Sequence, residues 1–292
     1  MAKTAYPACS IKRSRRSAAE IDIIREAILV VLEAGFPMTL RQLFYKLVST
    51  RVIPKTEAEY DNTVGRLVKE MRLSGQLPWR WITDNTRGQR KVRTSSSLEG
   101  ALEDTARFYR RDIWDDQPEY VEIWCEKDAI SGVLWPVVAE WHVPLMITRG
   151  YPSLSFMYET AATISAVNRR VHIAYLGDWD PSGLDIQRNV EERLREFAPE
   201  VDLDFRRLAV TPAQVREFGL LTRPTKTTDS RAKGFRGESV DVDAIDSNQL
   251  RGMVEEFIVG FVDQRRLAQL RIAETSERDI LRAMPGMARG LR

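Results

Sequence analysis

The sequence predicts an α/β protein, with a helical, basic N-terminal domain followed by a mostly parallel sheet that carries helices on both faces. Three observations lead there. From residue 120 onward, short apolar runs alternate with amphipathic stretches of helical spacing, the pattern of strands buried on both sides. Before that point, residues 17–75 show helical periodicity punctuated by cap and stop signals. Charge divides along the same line: residues 1–100 hold 18 Lys and Arg against 10 Asp and Glu, and the rest hold 26 against 32. A basic first part suits a polyanion and an acidic second part suits cations, although uneven surface charge without a partner gives the same count.

Residues 1–16, containing "KRSRR", read as a basic flexible arm. Ser17 opens the first helix with the capping box "SAAE", and the apolar spacing of "IDIIREAILVVLEAG" carries it to Gly35. A second helix begins near Thr39 in "TLRQLFYKLVSTR", and a third begins at Thr56 and ends at Gly75. The following "QLPWRWITDNTRG" has the aromatic and turn content of a short hairpin. Three helices and a hairpin over residues 17–94 make a winged-helix (CAP-like) pattern, which lays its last helix on DNA or serves as a protein-interaction module. Arg66, Lys69 and Arg72 on the third helix, with Arg80 and Arg87 in the hairpin, are the candidate DNA contacts. Residues 95–118 read as a connecting helix.

Strands are expected at "YVEIWC", "VPLMIT", "VHIAYLG" and "VDLDFRRLAV". The helices between them are "KDAISGVLWPVVAEW", which Pro136 should kink, "SLSFMYETAATISAVNRR" and "SGLDIQRNVEERLREF". Residues 211–292 read as helical and polar, with a basic loop, "RPTKTTDSRAKGFRGE", at 223–238. Apolar runs such as "AILVV" fall far short of the roughly 20 residues that span a bilayer, so no membrane partner is expected. The basic N-terminus is not followed by an apolar segment resembling a signal peptide. Cys9 and Cys125 are too few for a disulfide framework or a zinc site, which points to a reducing, cytoplasmic setting.

Functional groups in open α/β sheets gather at the carboxyl ends of the strands. Three acids fall there: Glu126 after "YVEIWC", and Asp178 and Asp180 after "VHIAYL", two positions apart and able to face one crevice. Grouped carboxylates raise one another's pKa, and a hard divalent cation relieves that cost. Taken alone, Glu126 reads as an acid at a helix N-terminus, and "DWD" reads equally well as an exposed turn.

The set "EKDA", "TRGYPS" and "GDWDPSG" resembles the Toprim domain of the topoisomerase VI A-subunit and meiotic double-strand-break protein family. "LAVTPAQVREFGLLTRP" is similar to that family's following segment, so the likeness spans roughly residues 36–250 and makes residues 119–292 a Toprim domain with a helical C-terminal extension. The resemblance implies that Glu126, Asp178 and Asp180 bind Mg²⁺, with Mn²⁺ as a substitute, and that Glu126 also takes part in catalysis. It also implies that Tyr45, in "RQLFY", attacks a phosphate of double-stranded DNA and becomes joined to the cut 5′ end, with Arg41 holding the phosphate. Spacing puts Arg41 and Tyr45 on one helix face, and a phenol with a pKa near ~10 needs such a cation nearby. From spacing alone, Tyr45 reads as a packed helix residue with its hydroxyl at the surface. Lys127 and Arg149 are further candidates for phosphate contact, whereas His142 and His172 are not expected to be catalytic.

The family implies a homodimer in which one subunit's tyrosine meets the other's metal site, in a nucleoid-associated setting. An ATPase B-type subunit would be needed for ATP-driven strand passage, because the chain has no Walker-type loop. Two other functions stay open: a hydrolytic nuclease using water, as in plasmid or phage defence, and a non-catalytic DNA-binding regulator.

Overall fold

The computed structural model describes residues 16–82, 94–225, 235 and 237–289. Arg87, the arm before Arg16, the hairpin from residue 83 and most of the 223–238 basic loop lie outside the described residues.

The N-terminal part begins with α1 (Ala18–Gly35), whose Ser17–Glu20 capping box forms as expected. Helix α2 (Leu40–Ser49) has a second capping box, Thr39–Gln42. The third helix is built in pieces: α3 (Glu57–Glu59), a π-helical stretch (Tyr60–Gly65) and α4 (Arg66–Leu73). Ile24, Ile28, Leu32, Leu43, Leu47, Leu67 and Met71 interlock in one apolar core, the outcome of the 3.6-residue spacing in the sequence. In place of the first hairpin strand there is a 3₁₀ turn (Trp79–Trp81), and Ile82 pairs with Met38 in an isolated parallel bridge. Arg72 explains this turn, because its Nη2 donates to Trp79 O at 2.7 Å and to Ile82 O at 2.6 Å. The connecting helix is shorter than expected: α5 (Leu98–Phe108) stops at Tyr109, and it packs on α11 (Gln264–Arg289).

The second part is a four-stranded, all-parallel sheet with helices around it. Strands β1 (Glu119–Cys125), β2 (Leu145–Ile147), β3 (Arg170–Leu176) and β4 (Leu203–Ala209) are arranged in the order β2-β1-β3-β4. Period-2 alternation sorts their side chains. Val121, Ile123, Cys125, Ala174 and Leu176 enter a core with α6 (Asp128–Glu140) and α10 (Ser247–Val259). Trp124, Val171, Ile173 and Tyr175 face α7 (Leu154–Val167) and α8 (Pro181–Phe197). Pro136 lies inside α6, which continues through it.

The region after β4 is less uniformly helical than its composition suggests. Beyond the short α9 (Pro212–Glu217), residues 239–245 form an extended strap ending in a 3₁₀ turn (Val242–Ala244). Val240, Val242 and Ile245 are fully buried, and Val240 bridges Trp179. Among the described residues, no helix is long and apolar enough to cross a membrane.

Candidate active site

The sheet order places the first crossover to one side of β1 and the next to the other side. The crevice between the carboxyl ends of β1 and β3 is therefore a topological switch point, where α/β sheets bind ligands. Glu126 follows β1, and its N–H donates to Leu176 O at 2.9 Å. Asp178 follows β3, and its N–H donates to Glu126 Oε2 at 3.2 Å. Two glycines allow this closeness. A Cβ on Gly177 would lie 2.7 Å from Glu126 Oε2, and one on Gly183 would lie 2.4 Å from the Asp178 carbonyl oxygen. "DPSG" begins α8, with Asp180 as N-cap, Pro181 in the first turn and Gly183 N donating to Asp180 Oδ1 at 2.8 Å. Below them, Arg207 of β4 pins the loop by donating from Nη2 to Gly177 O at 2.8 Å and also to Asp178 O.

Burial and the neighbouring Asp178 charge push the Glu126 carboxyl up to about 7. Asp178 is itself raised, first by burial, with the Lys127 ammonium working the other way. Lys127 Nζ stands 2.8 Å from Asp178 Oδ1, 3.2 Å from Asp243 Oδ2 and 3.7 Å from Asp241 Oδ1. Burial opposes its charge, yet these three carboxylates outweigh burial and keep it ammonium. Arg223 Nη2 joins Asp180 Oδ2 at 3.0 Å to Asp241 Oδ1 at 3.1 Å. Burial alone would raise Asp241, but Lys127, the Tyr45 hydroxyl and Arg223 together hold it at about 2.

Tyr45 comes from α2, in the N-terminal part. Its hydroxyl donates to Asp241 Oδ2 at 2.6 Å, and the side chain is 6% exposed. Burial and the Asp241 bond hold its pKa well above that of a free phenol, while Arg41, one helical turn earlier, pulls the other way. Arg41 also lies over the Tyr60 ring at 4.9 Å, and Lys55 lies over the Tyr45 ring at 5.4 Å. A cavity of about 910 Å³ opens between the N-terminal helices and the carboxyl end of the sheet and is lined by Tyr45, Arg41, Lys55, Glu126, Arg149 and Asp241 among others.

The structure thus brings together Tyr45, Arg41, Glu126, Asp178, Asp180 and Lys127. Asp180 directs one oxygen to the α8 cap and the other to Arg223. Lys127 points into the acid cluster rather than outward, and Arg149 stands at the cavity rim, 3.0 Å from Asp128. Among the described residues, no three His, Cys, Asp or Glu side chains converge as ligands for one ion. Of the three expected ligands, Asp178 acts most strongly on Glu126, and a hard cation such as Mg²⁺ needs only one or two protein carboxylates. Arg66, Lys69, Arg72 and Arg80 do not line the cavity. Arg66 pairs with Glu70 at 2.7 Å, Lys69 is exposed, Arg72 holds the 3₁₀ turn and Arg80 lies over the Phe36 ring at 5.9 Å. His172 sits at the far end of the strands between Glu119 and Asp204, away from this site.

Sequence reasoning missed Asp241, Asp243, Arg223, Lys55 and Arg207. A usable signal was present in "SVDVD", whose alternation breaks the helical period and marks an extended segment, although the structure buries its polar residues as well as its valines. No protein-family model and no curated protein matches this chain.

Proposed function

We propose that the chain is a DNA-cleaving protein of the topoisomerase VI A-like type, with a winged-helix N-terminal domain, a Toprim sheet domain and Tyr45 as nucleophile. One observation carries this reading: Tyr45 and the switch-point acid Glu126 line a single cavity with Arg41, Lys55 and Arg149. A cleft combining a nucleophile, cations and carboxylates suits phosphodiester chemistry.

In this reading the Tyr45 oxygen attacks a backbone phosphorus. The bond from phosphorus to the 3′ oxygen breaks, and that oxygen leaves as a hydroxyl, taking up a proton equivalent to the one the phenol gives up. The 5′ end stays on the tyrosine. Arg41 favours the phenolate and holds a phosphate oxygen, and Lys55 and Arg149 neutralise the approaching backbone. Glu126 and Asp178 are the residues that would hold Mg²⁺ or Mn²⁺. Such an ion supplies positive charge for the phosphate oxygens.

A second reading, hydrolysis by water, is favoured by the burial of Tyr45 and by the hold of Asp241 on its proton. Supercoiled plasmid, Mg²⁺ or Mn²⁺, a detergent stop and protease treatment separate the two. The proposal expects ends that carry protein until protease is added and that vanish in Tyr45→Phe. Free ends from both proteins mean hydrolysis, and metal-independent binding without cleavage means a DNA-binding regulator.

A further inference from the structure

We infer that Arg207 is a positioning residue for Glu126, acting through the Gly177–Asp178 peptide and setting how firmly the switch-point carboxylates hold a divalent cation. The inference deepens the proposed function and rests on its reading of Glu126 and Asp178 as the residues that would hold Mg²⁺ or Mn²⁺.

Glu126 Oε2 accepts the backbone N–H of Asp178 at 3.2 Å. The other end of the same peptide is the Gly177 carbonyl. The peptide is trans, so its C=O and N–H point in opposite directions within one plane. Gly177 O accepts from Arg207 Nη2 at 2.8 Å and from Val210 N at 3.0 Å, which uses both of its lone pairs. With the oxygen held on the β4 side, the Asp178 N–H is left facing Glu126. Gly177 permits the approach, because a Cβ there would lie 2.7 Å from Glu126 Oε2. A carbonyl that accepts from a cation also makes the N–H of its own peptide a stronger donor. One guanidinium therefore both aims this hydrogen bond and strengthens it.

Arg207 is anchored on every side. Its Nε donates to Val210 O at 2.7 Å, its Nη1 donates to Gln187 of α8, and its Nη2 also donates to Asp178 O. The guanidinium lies over the Trp179 ring at 5.6 Å and the Tyr175 ring at 6.0 Å. All four acceptors are neutral oxygens, and among the described residues no carboxylate pairs with it. Burial pulls its pKa below the ordinary guanidinium value, while Tyr175 and the acids Glu126, Asp178 and Asp180 work the other way. A cation withdrawn from water without an ion partner is costly to keep. Here its field falls on the crevice acids together, so it orders them and leaves their oxygens free of direct pairing with it. Arg206, the next residue of β4, shows the contrast, because it is engaged by Asp204 at 2.9 Å.

Two measurements test the inference, both on the full chain. Removing an outer partner of this kind costs about 10–100-fold in metal affinity. Arg207→Met is therefore expected to weaken Mn²⁺ binding by about tenfold or more, read from the electron paramagnetic resonance signal of free Mn²⁺. Arg206→Met removes a charge from the same strand and should bind Mn²⁺ like the wild type. Arg207→Lys keeps the charge but cannot fork between the two carbonyls. It should recover part of the affinity, and it carries the comparison if Arg207→Met does not fold. Wild-type affinity in Arg207→Met, or an equal loss in Arg206→Met, overturns the inference.

The second measurement needs neither metal nor cleavage. Hydrogen exchange of the Asp178 amide, followed by NMR, should be about tenfold faster in Arg207→Met, with the amides of the buried β3 residues Ile173 and Ala174 unchanged. An unchanged Asp178 amide overturns the inference. Equal acceleration along β3 means that Arg207 only stabilises the fold, and this overturns it too. A wild-type protein that binds no Mn²⁺ means that the metal reading has failed, and the exchange rates still decide whether Arg207 holds the peptide against Glu126.

Discussion

Gly183→Ala offers a sharp test of how the switch-point crevice is built. The added Cβ would lie 2.4 Å from the Asp178 carbonyl oxygen, 3.1 Å from its carbon and 3.2 Å from Glu126 Oε2. The obstructing atoms are backbone, held by Arg207 and by the cap of α8, so relief requires the β3–α8 loop to move. Overpacking of this kind costs about 1–3 kcal/mol or more, and the better helix propensity of alanine returns less than about 1 kcal/mol in the first turn. A net loss of about 2 kcal/mol should lower the melting temperature by roughly 4–8 °C in a domain of this size. Gly252→Ala is the control. It sits exposed inside α10, where an added Cβ meets nothing within 4 Å, and the same chemical change should stabilise by about 0.5–1 kcal/mol. Scanning calorimetry on both variants reads the sign directly. A Gly183→Ala protein that melts with the wild type would refute the close approach described for Asp178 and Glu126.

Three further outcomes follow from the charge network and the core. Lys127→Met leaves Asp178, Asp241 and Asp243 buried without their shared cation, at a cost of about 3–5 kcal/mol. In urea melts that deficit should be smaller at pH 4 than at pH 7, because protonation removes the repulsion. The carboxyl of Asp241 sits at about 2 when folded against 3.8 ordinarily, so its stabilisation is full above pH 4 and lost as pH falls toward 2. Asp241→Asn should remove roughly 2 kcal/mol of that acid-side loss, as read from chemical unfolding between pH 5 and pH 2. Glu122 behaves in the opposite sense. Burial raises its pKa despite bonds from Trp124 Nε1 at 2.8 Å and Tyr120 at 3.2 Å, so it costs stability as pH rises through and above the carboxylate range. Glu122→Gln should therefore gain melting temperature relative to wild type at pH 8 and gain less at pH 5.

Local pattern was enough to define much of this molecule. The short apolar runs "YVEIWC" and "VHIAYL" set two strands buried on both faces and put Glu126 and Asp178 at their carboxyl ends. Capping chemistry placed the starts of α1, α2 and α8, and helical spacing put Arg41 and Tyr45 on one face. These features were legible because they depend on neighbours a few residues away, where backbone geometry alone decides the outcome.

Other features depended on which distant segments meet. Arg72 looked like a DNA contact, but two carbonyls of the 3₁₀ turn claim its guanidinium. Lys127 looked like a phosphate ligand, but three carboxylates from β3 and the strap surround it. Asp241 and Arg223, in a stretch that read as polar and helical, close the cluster around Tyr45 and Asp180. The sequence by itself determined the parallel sheet, the strand-end acids and the helix bearing Tyr45. Only the tertiary structure decided which charges pair and which acids the tyrosine meets, because a charge selects its partner by distance and burial after packing, and neither is encoded in local periodicity.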